Sequence, residues 1–192
     1  MDEEKQGGGS DAGEVSSRQR ILDAALRLFS QHGYDETSVA ALARSADVSK
    51  GLVYHYFDTK RDVLEAVMAR GSERLEAALD RAGSGSSGAP PPAAVMEILG
   101  MVAEDLPWWR LLFRLRMQPE LGREIGLTSL GDSIENALER SLREAGYDSS
   151  RRAALALAAA VEGAAQRYVL DPDGYPLVET AEAMVSRYLE PR

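Results

Sequence analysis

The sequence has no cysteine and only two histidines. Without cysteine there is no disulfide framework, no thiolate nucleophile and no cysteine metal site. His32 and His55 have no acidic cluster beside them, so a metal centre or a histidine general base finds little support, and no cofactor is expected. Long apolar runs are missing as well. The longest uncharged one, Ala153 to Val161, is far too short to span a bilayer, and no basic segment followed by an apolar one opens the chain. A cytoplasmic protein without membrane contact is therefore expected. No nucleophile and base pair or glycine-rich phosphate loop stands out, which argues against an enzyme. Alternation of strand type is also absent, leaving an all-α fold.

The formal net charge of -9 is at first sight unfavourable for a partner such as nucleic acid. Its distribution changes the reading. From Ser16 to Lys60 the basic residues Arg18, Arg20, Arg27, Arg44, Lys50 and Lys60 slightly outnumber the acidic Asp23, Asp35, Glu36, Asp47 and Asp58. The acidity lies in the N-terminal tail and in the C-terminal part, where it is expected to weaken non-specific association with polyanions.

Within that near-neutral segment, TSVAALARSADVSKGLVYHYFDTK (Thr37 to Lys60) carries a local signal at nearly every position. Thr37 or Ser38 can cap a helix whose apolar stripe is Val39, Leu42, Ala43 and Ala46. Asp47 tolerates the left-handed turn that follows, and Val48 can plug the angle between two helices. Ser49 caps the next helix, in which Val53 and Phe57 face inward and Lys50, Gly51, Leu52, Tyr54 and His55 are left mostly outside. Two short helices joined this way make a helix-turn-helix.

The remaining chain supplies supports for this device. Residues 1–15 are acidic and glycine-rich and are expected to be a disordered tail. A first helix from Ser16 or Ser17, with Ile21, Ala24, Ala25, Leu28 and Phe29 on one face, stops at His32 and Gly33. Asp58 or Thr59 caps a long helix to about Arg81, where Gly71 is expected to mark a bend. Ala82 to Pro92 reads as a Gly/Ser/Pro loop. Helices then follow from Ala93 to Asp105, from Trp108 to Met117 behind Pro107, and from Leu121 or Thr128 to Ala145. Two more run from Ser149 or Ser150 to Leu170 and from Pro176 to Leu189. The total is about nine helices.

The residues ILDAALRLFSQHGYDETSVAALARSADVSKGLVYHYFDTKRDVLEAV, Ile21 to Val67, resemble the TetR family of bacterial and archaeal transcriptional regulators. The most specific pieces are ADVSKG, LVYHYF and Lys60. Two positions depart from the family pattern: Asp47, where glycine is usual, and Leu52, where a small hydroxyl residue is common. The resemblance implies a helix-turn-helix domain at 16–62 and a C-terminal effector-binding and dimerisation domain at 63–192. It implies that Lys50, Gly51 and Leu52 approach base edges, that Tyr54, His55 and Tyr56 add base or phosphate contacts, and that Thr37 or Ser38 and Lys60 anchor the DNA backbone. Tyr34 would be an aromatic plug between the first two helices. The implied partner is a palindromic double-stranded DNA operator, bound by a homodimer formed through the last two helices of each subunit.

In the C-terminal part the adaptable apolar side chains of Met96, Leu99, Trp108, Trp109, Phe113 and Met117 are candidates to line a pocket for a small hydrophobic or aromatic effector. Glu162 and Gln166, four residues apart on an alanine-rich helix, could orient such a ligand, cross a subunit interface or face solvent. The reading is a repressor released by its effector. The alternatives are a ligand-independent DNA-binding regulator and an activator.

Overall fold

The computed structural model describes residues 10–83, 91–144, 146 and 150–189; side chains are not described at 10–16, 81–83, 91–93, 128–130, 144, 150 and 187–189. Every regular element among them is an α-helix, ten in all. None of these helices is long and apolar enough to cross a membrane, and no group of three potential metal ligands occurs among the described residues. The chain divides into two compact units, Met1–Ala69 and Arg70–Arg192, with the division falling inside the long helix.

The N-terminal unit is built on α1 (Ser10–His32), α2 (Val39–Ser45), α3 (Lys50–Tyr56) and the first part of α4 (Lys60–Gly83). Helix α1 begins at Ser10, ahead of the expected Ser16; of the expected tail, residues 1–9 lie outside the described ones. The helix ends where the sequence says it should: Gly33 has φ 92° and its N–H donates to Phe29 O at 3.0 Å. Ile21, Ala24, Ala25 and Phe29 are buried on its inner face together with Leu22 and Leu26, while Leu28 is only half-buried.

Capping sets the other boundaries. The Ser38 hydroxyl accepts from Ala41 N at 3.2 Å and starts α2. Asp47 makes the turn at φ 53°, in the left-handed region, and Val48 N–H closes it by donating to Ala43 O. Ser49 accepts from Leu52 N at 3.0 Å and starts α3. For α4 the cap is Thr59, in a reciprocal arrangement: Thr59 N–H donates to Asp62 Oδ2 at 2.8 Å and Asp62 N–H to Thr59 Oγ1 at 3.2 Å.

The C-terminal unit contains the rest of α4 and α5 (Pro91–Glu104), α6 (Leu106–Arg116), α7 (Pro119–Glu124), α8 (Thr128–Glu144), α9 (Ser150–Leu170) and α10 (Leu177–Leu189). Helix α5 is its centre and packs against α6, α8, α9 and α10. Three expectations need correction. Helix α4 continues through Gly71 without interruption; the glycine is there for a close approach by Trp108, described below. The expected loop is shorter, because α4 runs to Gly83 and α5 opens on Pro91 and Pro92, prolines being tolerated in a first turn; 84–90 lie outside the described residues. Finally, α7 is a separate helix that accounts for the tenth, ended by Gly126 at φ 73°.

Candidate nucleic-acid interface and effector cavity

Helix α3 is fixed from beneath and open above. Val53 and Phe57 are buried, and the Arg18 guanidinium lies 5.3 Å from the centre of the Phe57 ring. Lys50, Gly51, Tyr54 and His55 are exposed, Tyr54 at 47%, while Leu52 and Tyr56 are half-buried. Lys50 Nζ sits 5.7 Å from the centre of the Tyr54 ring one turn on, and the His55 and Tyr56 rings meet edge-on at 5.2 Å. The outward row therefore carries a cation, a phenol and an imidazole. With no Cβ, Gly51 allows close approach of a partner backbone. These are groups suited to base edges and phosphates in a major groove.

The flanking anchors are placed differently from expectation. Thr37 is 3% exposed and its hydroxyl donates to Gly33 O at 2.8 Å, so it locks the end of α1 instead of facing a phosphate. Ser38 remains exposed, with its oxygen engaged in the α2 cap. Lys60 reaches back across the fold: Nζ donates to Tyr34 O at 2.7 Å and to Asp35 O at 3.3 Å, and lies 4.2 Å from the centre of the Tyr34 ring. Tyr34 in turn packs edge-on against Phe29 at 5.5 Å. Two of the three ammonium protons are thus spent holding the segment after α1.

In the C-terminal unit a cavity of about 140 Å³ is walled mainly by α6, α8 and α9. Of the eight candidates, Trp109, Phe113 and Glu162 line it. Leu99 and Trp108 are buried but are not in its wall, and Met96 lies at a surface groove beside Arg74 and Glu97. Met117 is 79% exposed and Gln166 also faces outward. Met117 closes α6 as its C-cap, and Gln166, on the same side of α9 as Glu162, lies one turn further on, past the cavity wall. Sequence reading missed Leu112 and Arg116, although Trp109, Leu112, Phe113 and Arg116 are spaced at i, i+3, i+4 and i+7, the signature of a single helix face.

The cavity wall is ordered by polar contacts. Trp109 Nε1 donates to Met101 O at 3.2 Å, and its ring meets Trp108 edge-on at 5.2 Å. Arg116 Nη1 donates to Glu162 Oε1 at 2.6 Å, joining α6 to α9, and Glu135 pairs with Arg151 at 3.5 Å. Outside the cavity, Arg74 Nη1 bonds Asp105 Oδ2 at 2.7 Å while Asp105 Oδ1 caps α6 through Trp108 N.

A capped helix-turn-helix with an open second helix, followed by a helical body with an internal cavity, defines a class of DNA-binding regulators. Residues 21–67 match the family described as "Bacterial regulatory proteins, tetR family". Over those residues the chain carries the DNA-binding region of the TetR family. It is 39% identical over 122 residues to the HTH-type transcriptional repressor KstR of Mycobacterium tuberculosis, covering 64% of this chain and 54% of the relative. Its similarity to the HTH-type transcriptional regulator AcrR of Shigella flexneri is lower, 28%, but spans 91% of this chain and 88% of AcrR. Against the KstR repressors of Mycolicibacterium smegmatis and Rhodococcus jostii the chain spans 32% and 60% of their length. The fold is shared with a TetR-like transcriptional regulator from Rhodococcus sp. RHA1, with a TM-score of 0.74, 28% identity, and coverage of 88% of this chain and 92% of that one.

Proposed function

We propose that the protein is a transcriptional repressor that binds a palindromic operator as a homodimer and is released by a small hydrophobic or aromatic effector held in the C-terminal unit. The observation that carries the reading is the outward row of α3, with Lys50, Tyr54 and His55 presented on a helix whose opposite face is locked by Val53 and Phe57. The aromatic wall of Trp109 and Phe113 supports the effector. Support for a dimer through α9 and α10 comes from apolar side chains left uncovered there: Leu155 and, at 78%, Leu170 on α9, and Val178 on α10. The protein acts in the cytoplasm, where its operator is. A ligand that prefers one of two arrangements of the body shifts the population away from the DNA-competent one; equal affinity for both would shift nothing.

The test is binding to a labelled DNA fragment from the region upstream of the protein's own coding sequence, at stated salt, followed by selection from a random DNA library. Dimeric binding is expected, with Tyr54→Ala losing at least about tenfold in affinity, as one good contact is worth about 1–3 kcal/mol. Its thermal stability should be unchanged within about 0.5 kcal/mol, because the side chain is exposed. Failure to select any DNA sequence would overturn the repressor reading.

A further inference from the structure

The cavity does not end at its apolar walls. Arg116, Leu127, Gly131 and Glu135 belong to it and also to an open groove of about 500 Å³ that continues past Pro119, Gly122, Arg123 and Asp132. The two spaces are one bipartite site: a chamber with aromatic and aliphatic side chains in its wall, and a vestibule that adds Arg123 and Asp132 to the shared Arg116 and Glu135. Gly131 stands at the junction on α8, and a Cβ built there meets no protein atom within 4 Å. No packing demand among the described residues explains the missing side chain.

The two parts ask for different chemistry. At about 140 Å³ the chamber is close in size to an apolar cavity of about 150 Å³ that takes up benzene, so it holds one ring or a short chain. In the vestibule the formal charges are mixed, and the decision falls to which hydrogen-bonding groups are already used. The acceptors Glu162 and Glu135 are engaged by Arg116 and Arg151. Asp132 is exposed at the rim. The donors are in excess: Arg116 gives one bond, to Glu162, and Arg123 gives only Nε, to Pro119 O at 3.2 Å, with no other acceptor among the described residues. A guanidinium carries five N–H donors in a fork that matches carboxylate and phosphate oxygens.

We infer that the effector is an acidic amphiphile, with an apolar end of ring or short-chain size in the chamber and a carboxylate or phosphate head held by Arg116 and Arg123 in the groove. This rests on the reading of the C-terminal unit as the effector site. The head lies on the donors of Arg116 that Glu162 leaves free, so binding does not require that ion pair to break.

The experiment is calorimetric titration of the full-length protein with octanoate, octyl phosphate, octan-1-ol and octylamine, alongside toluene as a probe of the chamber alone. Octanoate or octyl phosphate should bind at least tenfold more tightly than octan-1-ol and octylamine, and the stronger of the two identifies the head. Arg116→Gln with Arg123→Gln should erase that preference while toluene binding persists, which also shows that the variant is folded. Gly131→Leu should weaken the acid at least tenfold more than it weakens toluene. Equal binding of acid, alcohol and amine, or preference for the amine, would overturn the acidic head and leave the effector cavity standing. Binding of none of the five would remove the cavity reading itself.

Discussion

The indole of Trp108 lies against the backbone of α4 at Gly71 so closely that a Cβ on that glycine would sit 1.9 Å from Trp108 Nε1 and 2.1 Å from Cε2. Trp108 is 3% exposed, and its N–H has no acceptor among the described residues. The contact is thus one of shape alone, and a buried unpaired N–H is a cost the packing must offset. Three residues along α4, the Arg74 bond to Asp105 ties the same helix to the N-terminus of α6.

Gly71→Ala should lower stability by about 2 kcal/mol, since overpacking a filled site costs about 1–3 kcal/mol and outweighs the helix propensity gained by alanine. Urea unfolding measures this. In the double variant with Trp108→Leu the two losses should fall short of their sum, because the smaller side chain makes room for the methyl group. Simple additivity would mean that the two residues do not share the strain.

Lys60 is expected to act on DNA binding through position, not through charge on a phosphate. Lys60→Met removes the bonds to Tyr34 O and Asp35 O, and should cost about 1–2 kcal/mol of stability, the range for a charge-assisted hydrogen bond reduced by partial exposure. DNA affinity should fall while the slope of log K against log salt stays unchanged. A slope smaller by about 0.9 would instead assign Lys60 a phosphate contact.

Asp47→Gly should stabilise the N-terminal unit by about 0.5–1 kcal/mol. A non-glycine residue at positive φ costs about 1–2 kcal/mol, of which glycine returns part through its greater freedom in the unfolded chain. The midpoint of thermal unfolding is the measurement, and a lower midpoint would show that the aspartate side chain supports the turn.

The helix-turn-helix was legible because its determinants are local. Ser49 bonds an amide three residues away, Asp47 carries its own φ, and Val53 and Phe57 are one turn apart, so a short window contains cause and effect. What was not legible depends on residues distant in the chain. Lys60 looks like a free cation until Tyr34 and Asp35, 26 and 25 residues back, are brought beside it. Gly71 reads as a helix interruption until Trp108 arrives. The body shows the same limit in another form. Trp108 and Trp109 are neighbours in sequence, yet successive helix positions point about 100° apart, so one reaches the cavity and the other the long helix. Composition marked both as bulky and apolar; only the packing of α6 decides their separate duties.

These are also the only two tryptophans in the chain. The whole indole emission of the protein therefore originates from one place, a ring in the cavity wall and a ring pressed on α4, touching each other edge-on. Excited at the red edge, where tyrosine does not absorb, the unlabelled protein carries its own optical reporter of cavity occupancy. A blue shift or quenching seen there reads the filling of the chamber and the seating of the long helix in a single spectrum.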